Sequence, residues 1–265
     1  MVVEGYQKLN YPTPHDLKNQ HTNSDILIIG SGSSTKQLIP YKDKIRGRFD
    51  AIIGINLTLL EFEDQMDYHF IIEKNPNKIY GPMISGGRKY RTDLPRVLNW
   101  KSIEHFPKDI PIYKATRIKF EEGVDIRLYR HDDKEGLLIG PPDARGLSTG
   151  TASMQALHLA CIMGAKNIYL VGTDLVFKDK YDHFYPDNLY RKSQTKAANR
   201  SPIIKVPYKG KMHETTEFFA SSAKFFDSVI ENRCKPVGIT VYDFSDGLIT
   251  KANKIDIHEF FKENT

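Results

Sequence analysis

The residues best suited to chemistry lie at the ends of apolar runs. Ile26 to Ile29 (ILII) leads into Gly30-Ser31-Gly32-Ser33-Ser34, so a strand, a glycine loop and a helix start follow one another. Backbone N–H groups in such a loop, with the positive end of the following helix, suit a phosphate. GSGSS is not GxGxxG, and no Gly-Lys-Ser/Thr of the Walker type is present, so both nucleotide fingerprints fail. Ala51 to Ile55 (AIIGI) ends at Asn56, and Tyr68 to Glu73 (YHFIIE) ends at Asn75-Pro76. An amide both donates and accepts, which suits a ribose or a base edge. Each Asn alone serves equally well as a loop cap. Around Gly150, small residues would admit a ligand to the backbone, and the helix behind them offers free N–H groups. Asn167 to Val171 (NIYLV) then runs into Gly172 and Asp174. That is where an open parallel sheet places its ligands, at the carboxyl ends of its strands. The bland alternatives are that Ser148-Thr149-Gly150 is a capped turn and Asp174 a turn former.

Candidates for proton transfer come later. Lys178 to Lys211 is polar, aromatic and basic, and holds Tyr181, His183, Tyr185, Tyr190 and Tyr208. It is long for a bare loop, which predicts a lid or binding loop, with a surface insertion as the alternative. His213 stands just before an amphipathic helix whose buried face is Phe218, Phe219, Ser222, Phe225, Phe226, Val229 and Ile230. Placed there, it can face a cleft or simply pack.

These residues need a scaffold, and the apolar runs supply one. Strands at Ile26, Ala51, Tyr68 and Asn167, alternating with helical patterns, predict a single doubly wound α/β domain with a mainly parallel sheet. Ser148 and Thr149 are placed to cap a helix on which Ala152, Ala156, Leu159 and Met163 recur, and Gly164 to end it in a left-handed conformation. A helix through Leu38 is expected to break at Pro40, and Leu57 to Asp64 reads as another. Ile239 to Phe244 is the last strand. Residues 1–24 read as a polar surface arm, 25–250 as the domain with a lid-like insertion at about 178–211, and 251–265 as a tail. Pro82 to Asp143 reads as an insertion with strand candidates at Pro111 to Ala115 and Ile126 to Tyr129. Its basic residues Arg88, Lys89, Arg91, Arg96 and Lys101 read as a solvated face.

With 265 residues, 40% apolar and 27% charged, the chain is of globular composition. A net charge of +5 is compatible with an anionic ligand or a membrane surface and too small to argue for nucleic acid. Two cysteines, Cys161 and Cys234, far apart in the chain, point to a reducing compartment and no disulfide framework. No Cys/His cluster of metal-binding spacing occurs. The N-terminus lacks the apolar core of a signal peptide, and no run reaches transmembrane length.

Together the motifs resemble the bacterial sialyltransferases of glycosyltransferase family 42. They also resemble the related superfamily of flagellin-modifying accessory proteins and archaeal dihydropterin pyrophosphokinases (DUF115, MptE-like). The resemblance runs from about Ile26 to Asp246, with the middle poorly matched. It implies a Rossmann-like, GT-A-like domain binding a nucleotide-sugar. ILIIGSGSS matches the first strand and nucleotide loop, which gives Gly30, Ser31, Gly32 and Ser34 to the nucleotide. GINLTLLEFED and IIEKNPNK carry the matching asparagines, so Asn56 and Asn75 inherit nucleotide contacts. STG followed by ALHLACIMGAKNIYLVGTDLVF matches the helix-strand segment, adding Ser148, Thr149, Gly150 and Asp174 for the nucleotide and Arg145 for the acceptor. MHETTEFF places His213 as general base. Three features depart from the pattern. Ser31 stands where the family usually has Asn. Phe177 stands where a phosphate-stabilising Tyr is expected, leaving His183 with Tyr181 or Tyr185 for that role. The stretch Arg145 to Gly164 is a few residues longer.

The function so implied is inverting transfer of an acidic sugar from a CMP-activated donor to a glycan or lipid-linked glycan, with no metal and no cofactor besides the donor. Such chemistry needs a base on the acceptor hydroxyl and donors on the leaving phosphate. One alternative is a pyrophosphokinase, which needs Mg²⁺ held by carboxylates. Where that branch carries its acids, this chain has EKNPNK, which favours the transferase. The other is a non-catalytic glycan-modification accessory protein. The expected setting is cytoplasmic, compatible with peripheral contact at the inner membrane face and with oligomerisation, and without a nucleic-acid partner.

Overall fold

A computed structural model describes residues 17–71, 91, 93–99, 112–116, 151–177, 184 and 202–262, with the backbone alone for 96–99 and 112–116. Eight strands make one sheet: β1 Ser24–Ile29, β2 Ala51–Ile55, β3 Tyr68–Ile71, β4 Arg96–Asn99, β5 Ile112–Thr116, β6 Ala165–Val171, β9 Thr240–Asp243 and β10 Asn253–Lys254. Their spatial order is β10-β9-β6-β1-β2-β3-β4-β5. Every pairing is parallel. Between β6 and β9 a separate antiparallel hairpin joins β7 Ile203–Tyr208 to β8 Lys211–Thr216.

Side chains of the central strands alternate between two cores, as a pleated strand requires. Ile26 and Ile28 of β1, and Ile168 and Leu170 of β6, enter one core with α2 Ala152–Ile162 and α3 Glu217–Val229. Leu27 and Ile29, with Tyr169 and Val171, enter the other. That second face is covered by the 3₁₀ helix Ser33–Lys44, α1 Leu59–Phe62 and α4 Ile257–Lys262. Both faces are therefore buried, which explains the continuous apolar runs. The expected doubly wound parallel fold is the one observed.

Several expectations are corrected. Helix α2 is capped by Thr151, whose hydroxyl accepts from the Met154 N–H at 3.4 Å; Ser148 and Thr149 lie outside the described residues. Gly164 does take the left-handed conformation, at φ 90. The carbonyls at the end of α2 are satisfied by residues 19–23, the described end of the stretch read as a polar surface arm. Asn19, His21 and Asn23 donate to Ile162, Met163 and Gly164 at 3.0, 2.8 and 2.9 Å, and Leu17 is buried. Pro40 sits inside the 3₁₀ helix instead of ending it. β4 and β5 extend the main sheet, so the stretch read as an insertion supplies its edge. Arg91 is only partly solvated: its guanidinium donates to the carbonyls of Glu63 and Met66 at 3.2 and 3.1 Å. Residues of the presumed tail form β10 and α4, which place Ile257 and Phe261 in the core and stack Phe261 on Tyr41 at 4.7 Å.

Candidate functional site

Strands β1 and β6 are neighbours whose chains leave toward opposite faces of the sheet, the arrangement that opens a ligand crevice in doubly wound folds. Here that seam is closed by the chain itself. Gly30 donates to Val171 at 2.7 Å and Gly32 to Gly172 at 2.8 Å. A Cβ on Gly30 or Gly172 would collide with the other's backbone, and one on Gly32 with the Asp174 carboxylate. Gly172 also sits at φ 70, where side chains other than glycine are strained. These glycines thus let two loops of the chain touch. Ser34 links the loops from both sides, its hydroxyl accepting from the Gly172 N–H at 2.8 Å and donating to Asp174 Oδ2 at 3.1 Å. The same carboxylate oxygen takes the Ser34 N–H at 3.1 Å, and Asp174 is 1% exposed. An acidic side chain therefore already stands at the helix N-terminus that the glycine-loop motif would offer to a phosphate.

The seam between β1 and β2 is different. Asn56 follows β2 at φ 51, a conformation that Asn tolerates better than most residues. The buried His69 holds it there, Nε2–H donating to the Asn56 carbonyl at 2.7 Å, which fixes the ring's tautomer. Ser31 ties the neighbouring loop across, its hydroxyl donating to the Ile55 carbonyl at 3.3 Å. Among the described residues, buried side-chain oxygens without a hydrogen-bond partner follow both strands: Ser33 Oγ after β1, and Asn56 Oδ1 and Thr58 Oγ1 after β2. Thr173 Oγ1 beyond β6, and Gln155 Oε1 and His158 Nε2 one turn apart on α2, share that condition. Burial pushes the His158 imidazole down to about 3, so it is neutral. Unpaired polar atoms at the carboxyl ends of β1 and β2 are costly in an empty protein and useful to a ligand that donates to them.

His213 lies on β8 and not in the first turn of α3, whose cap is Thr216. It pairs across the hairpin with Val206, so the two share a face. On that face Val206 and Tyr208 pack against the core, while Ile203 and Met212, on the opposite face, are exposed. His213 therefore points toward the body of the domain and keeps partial exposure. The Tyr208 ring meets it edge-on at 6.0 Å. Burial first, then the carboxylates of Asp243, Asp246 and Asp227, pushes the Tyr208 phenol above its ordinary value, so it remains a proton donor. The hairpin is fastened to the loop after β6. Phe177 donates to the Glu214 carbonyl at 2.8 Å, and the Thr215 hydroxyl donates to the Leu175 carbonyl at 2.6 Å. Phe177 itself faces Phe219 at 6.1 Å.

Gly30, Ser31, Gly32, Ser34, Asn56, Asp174 and His213 are thus placed at the carboxyl-end loops of the sheet and the hairpin fastened to them. Arg145, Ser148, Thr149, Gly150, Asn75, Tyr181, His183 and Tyr185 lie outside the described residues. Phe184 is described: its N–H donates to the Ser31 carbonyl at 3.0 Å and its ring faces Phe62 at 6.4 Å. One residue of the presumed lid is therefore pinned over the β1 loop. Thr58 and His69 are not singled out by the sequence, and Ser33 reads only as part of the glycine loop, without a role of its own. Thr58, polar within the apolar stretch GINLTLL, was the available signal. Among the described residues, no three His, Cys, Asp or Glu side chains gather as metal ligands, and no helix is long and apolar enough to cross a membrane.

No family profile matches the chain, and no curated protein matches it. Among solved structures it is similar to the MAf glycosyltransferase from Magnetospirillum magneticum AMB-1, at TM-score 0.56 and 15% identity over 92% of this chain. The alignment takes in 37% of that protein, so this chain spans little more than a third of its length. A second similar structure is the sialyltransferase CstII from Campylobacter jejuni, in complex with a substrate analogue, cytidine-5'-monophosphate. Its TM-score is 0.48 and its identity 12%, over 88% of this chain and 85% of that one. At 15% identity the likeness to the first of these defines a fold alone: a parallel α/β sheet flanked by helices, shared with a glycosyltransferase.

Proposed function

We propose that the chain is a glycosyltransferase that moves an acidic sugar from a CMP-activated donor to a glycan or lipid-linked glycan. The observation that carries this reading is the β1/β2 seam, where Asn56 Oδ1 and the hydroxyls of Ser33 and Thr58 lie buried without partners. They offer acceptors to a nucleoside beside strands whose motifs resemble a nucleotide loop. The shared fold with a glycosyltransferase supports the class. In this reading Asn75 and the Ser148–Gly150 turn complete the nucleotide site, and Arg145 meets the acceptor. His213 takes the acceptor proton as the hydroxyl oxygen bonds to the anomeric carbon. The bond from that carbon to the phosphate oxygen breaks, and CMP leaves with configuration inverted. His183, with Tyr181 or Tyr185, donates to the departing phosphate. No metal is assigned a step. The setting we propose is cytoplasmic, compatible with peripheral contact at the inner membrane face.

Calorimetry with CMP, AMP and ATP, each with and without a chelator, tests the nucleotide. CMP should bind most tightly and without Mg²⁺; strictly Mg²⁺-dependent ATP binding would support the pyrophosphokinase reading instead. His213→Ala should lower turnover about 10²–10⁴-fold while leaving CMP affinity nearly unchanged. Near-wild-type turnover would remove His213 from the mechanism. A second reading, the accessory protein, draws on Phe177, whose ring packs on Phe219 and brings no hydroxyl to a phosphate. Tight CMP binding without turnover of any CMP-sugar would favour it.

A further inference from the structure

The chain has two cysteines, and folding brings them together. Cys161 lies in the last turn of α2, Cys234 ends the π-turn Ile230–Cys234 that continues α3, and their Sγ atoms are 4.0 Å apart. Both are buried thiols within one apolar core. The sequence places them 73 residues apart, which read as no pairing at all. Side chains in contact at this distance need only small χ changes to reach bonding distance. A π-turn is moreover a local irregularity, common at functional positions, that can readjust by a fraction of a turn.

Cys234 is itself 0% exposed, so a reagent reaches it only when the π-turn opens, and the turn lies at the surface. On either side of Cys234, residues 231–233 and 235–238 are all exposed. The Cys234 carbonyl accepts from the Ile239 N–H at 3.0 Å. Ile230, Lys235 and Ile239 in turn line a cleft of about 250 Å³ at the start of β9, with Lys251 on its rim. This cleft opens at the amino end of β9, away from the carboxyl-end loops described above. Lys251 suits a small anionic reagent, while Lys235 is ion-paired with Glu231 at 2.7 Å.

We propose that Cys161 and Cys234 are a dithiol site for low-molecular-weight disulfides such as oxidised glutathione, and that they close into an intramolecular disulfide. The Cys234 thiolate attacks one sulfur of the small disulfide, forming a mixed disulfide and releasing one small thiol. Cys161 loses its proton and attacks Cys234 Sγ, releasing the second small thiol. Two S–H bonds are lost, one S–S bond forms, and the two electrons reside in the two released thiols. The product ties α2 to the end of α3, the helix that follows the His213 hairpin.

The test uses the folded wild-type chain equilibrated in glutathione buffers from reducing to oxidising, then acid-quenched and alkylated. With only two cysteines, any internal disulfide is this one. The expected result is a monomer lighter by about 2 Da, with no alkylated cysteine and a raised unfolding temperature that dithiothreitol reverses. Cys161→Ala should abolish the redox dependence of that temperature. Two free thiols in oxidising buffer, a lasting glutathione adduct on wild type, or an unchanged redox response in Cys161→Ala would each overturn the proposal. None of these outcomes depends on the glycosyltransferase reading, which the nucleotide titrations test separately.

Discussion

Strand β1 has two seams, and they are built on opposite principles. Against β6, glycine backbones touch, Ser34 bridges the loops and Asp174 occupies a helix N-terminus. Against β2, the loops leave Asn56 Oδ1, Ser33 Oγ and Thr58 Oγ1 buried and unpartnered. The glycine motif that looked like a phosphate cradle serves chain packing. Most of the unpartnered polarity follows β1 and β2, although Thr173 Oγ1 after β6 is unpartnered too. A glycine-rich loop after a strand thus has two readings, and the neighbouring chain decides between them.

The contrast can be broken most forcefully at Gly172. Gly172→Ala places a Cβ against the Gly30 carbonyl and the Thr35 hydroxyl at a left-handed position, so a loss of about 3 kcal/mol or more is expected in urea denaturation. Gly210→Ala is the control, with a similar φ of 72 and open space around it, and should cost far less. Comparable losses for both would mean that the β1/β6 contact is not tight. Asp174→Ala comes next. It removes an acceptor for the buried Ser34 N–H and hydroxyl, for a loss of about 2–3 kcal/mol. A variant of unchanged stability but weakened nucleotide affinity would return Asp174 to the ligand.

The third test asks on which side of the contrast α2 falls. Burial holds the folded His158 at about 3, below the ordinary imidazole value, so the unfolded chain binds the extra proton. Stability should therefore be lost as pH falls below about 6.5, by roughly 2 kcal/mol at pH 5, and His158→Gln should lack this component. Denaturation midpoints of both chains at pH 7 and 5 give the difference. Parallel behaviour would mean that His158 finds a proton acceptor on opening to solvent. Thr58→Val is the mildest change: deleting an unpartnered buried hydroxyl should cost nothing or stabilise by up to about 1 kcal/mol. The same variant should weaken CMP binding, and a destabilised Thr58→Val would show that the hydroxyl is already satisfied.

Much of this fold was legible because a parallel sheet buried on both faces needs unbroken apolar strands. AIIGI is β2 residue for residue, and ILII and NIYLV lie inside β1 and β6. The hairpin was not legible. β7 carries Lys205 and Pro207 and is only half-buried on its better face, so it reads as a polar loop. Its turn was nonetheless written in Lys209-Gly210, both at positive φ as a two-residue hairpin requires. Near the sheet's edge composition is freer: β5 coincides with the strand expected at Pro111 to Ala115, whereas β4 carries no strand signal in the sequence and the stretch reads as an insertion. At the site, Asn56 was visible as an amide at a strand end. Its positive φ depends on His69, and the unpaired oxygens around it depend on how two loops meet. Neither is a property of local sequence.

Strand order also has a consequence in time. β1 lies between β2, the next strand made, and β6, which begins at Ala165. At about 5–20 residues per second on the ribosome, the edge of β1 facing β6 waits on the order of ten seconds for its partner. During that interval an apolar strand edge at the centre of the future sheet is open to any other extended chain. The nascent chain is therefore a natural client for chaperones, and slower translation between β2 and β6 should lower its soluble yield.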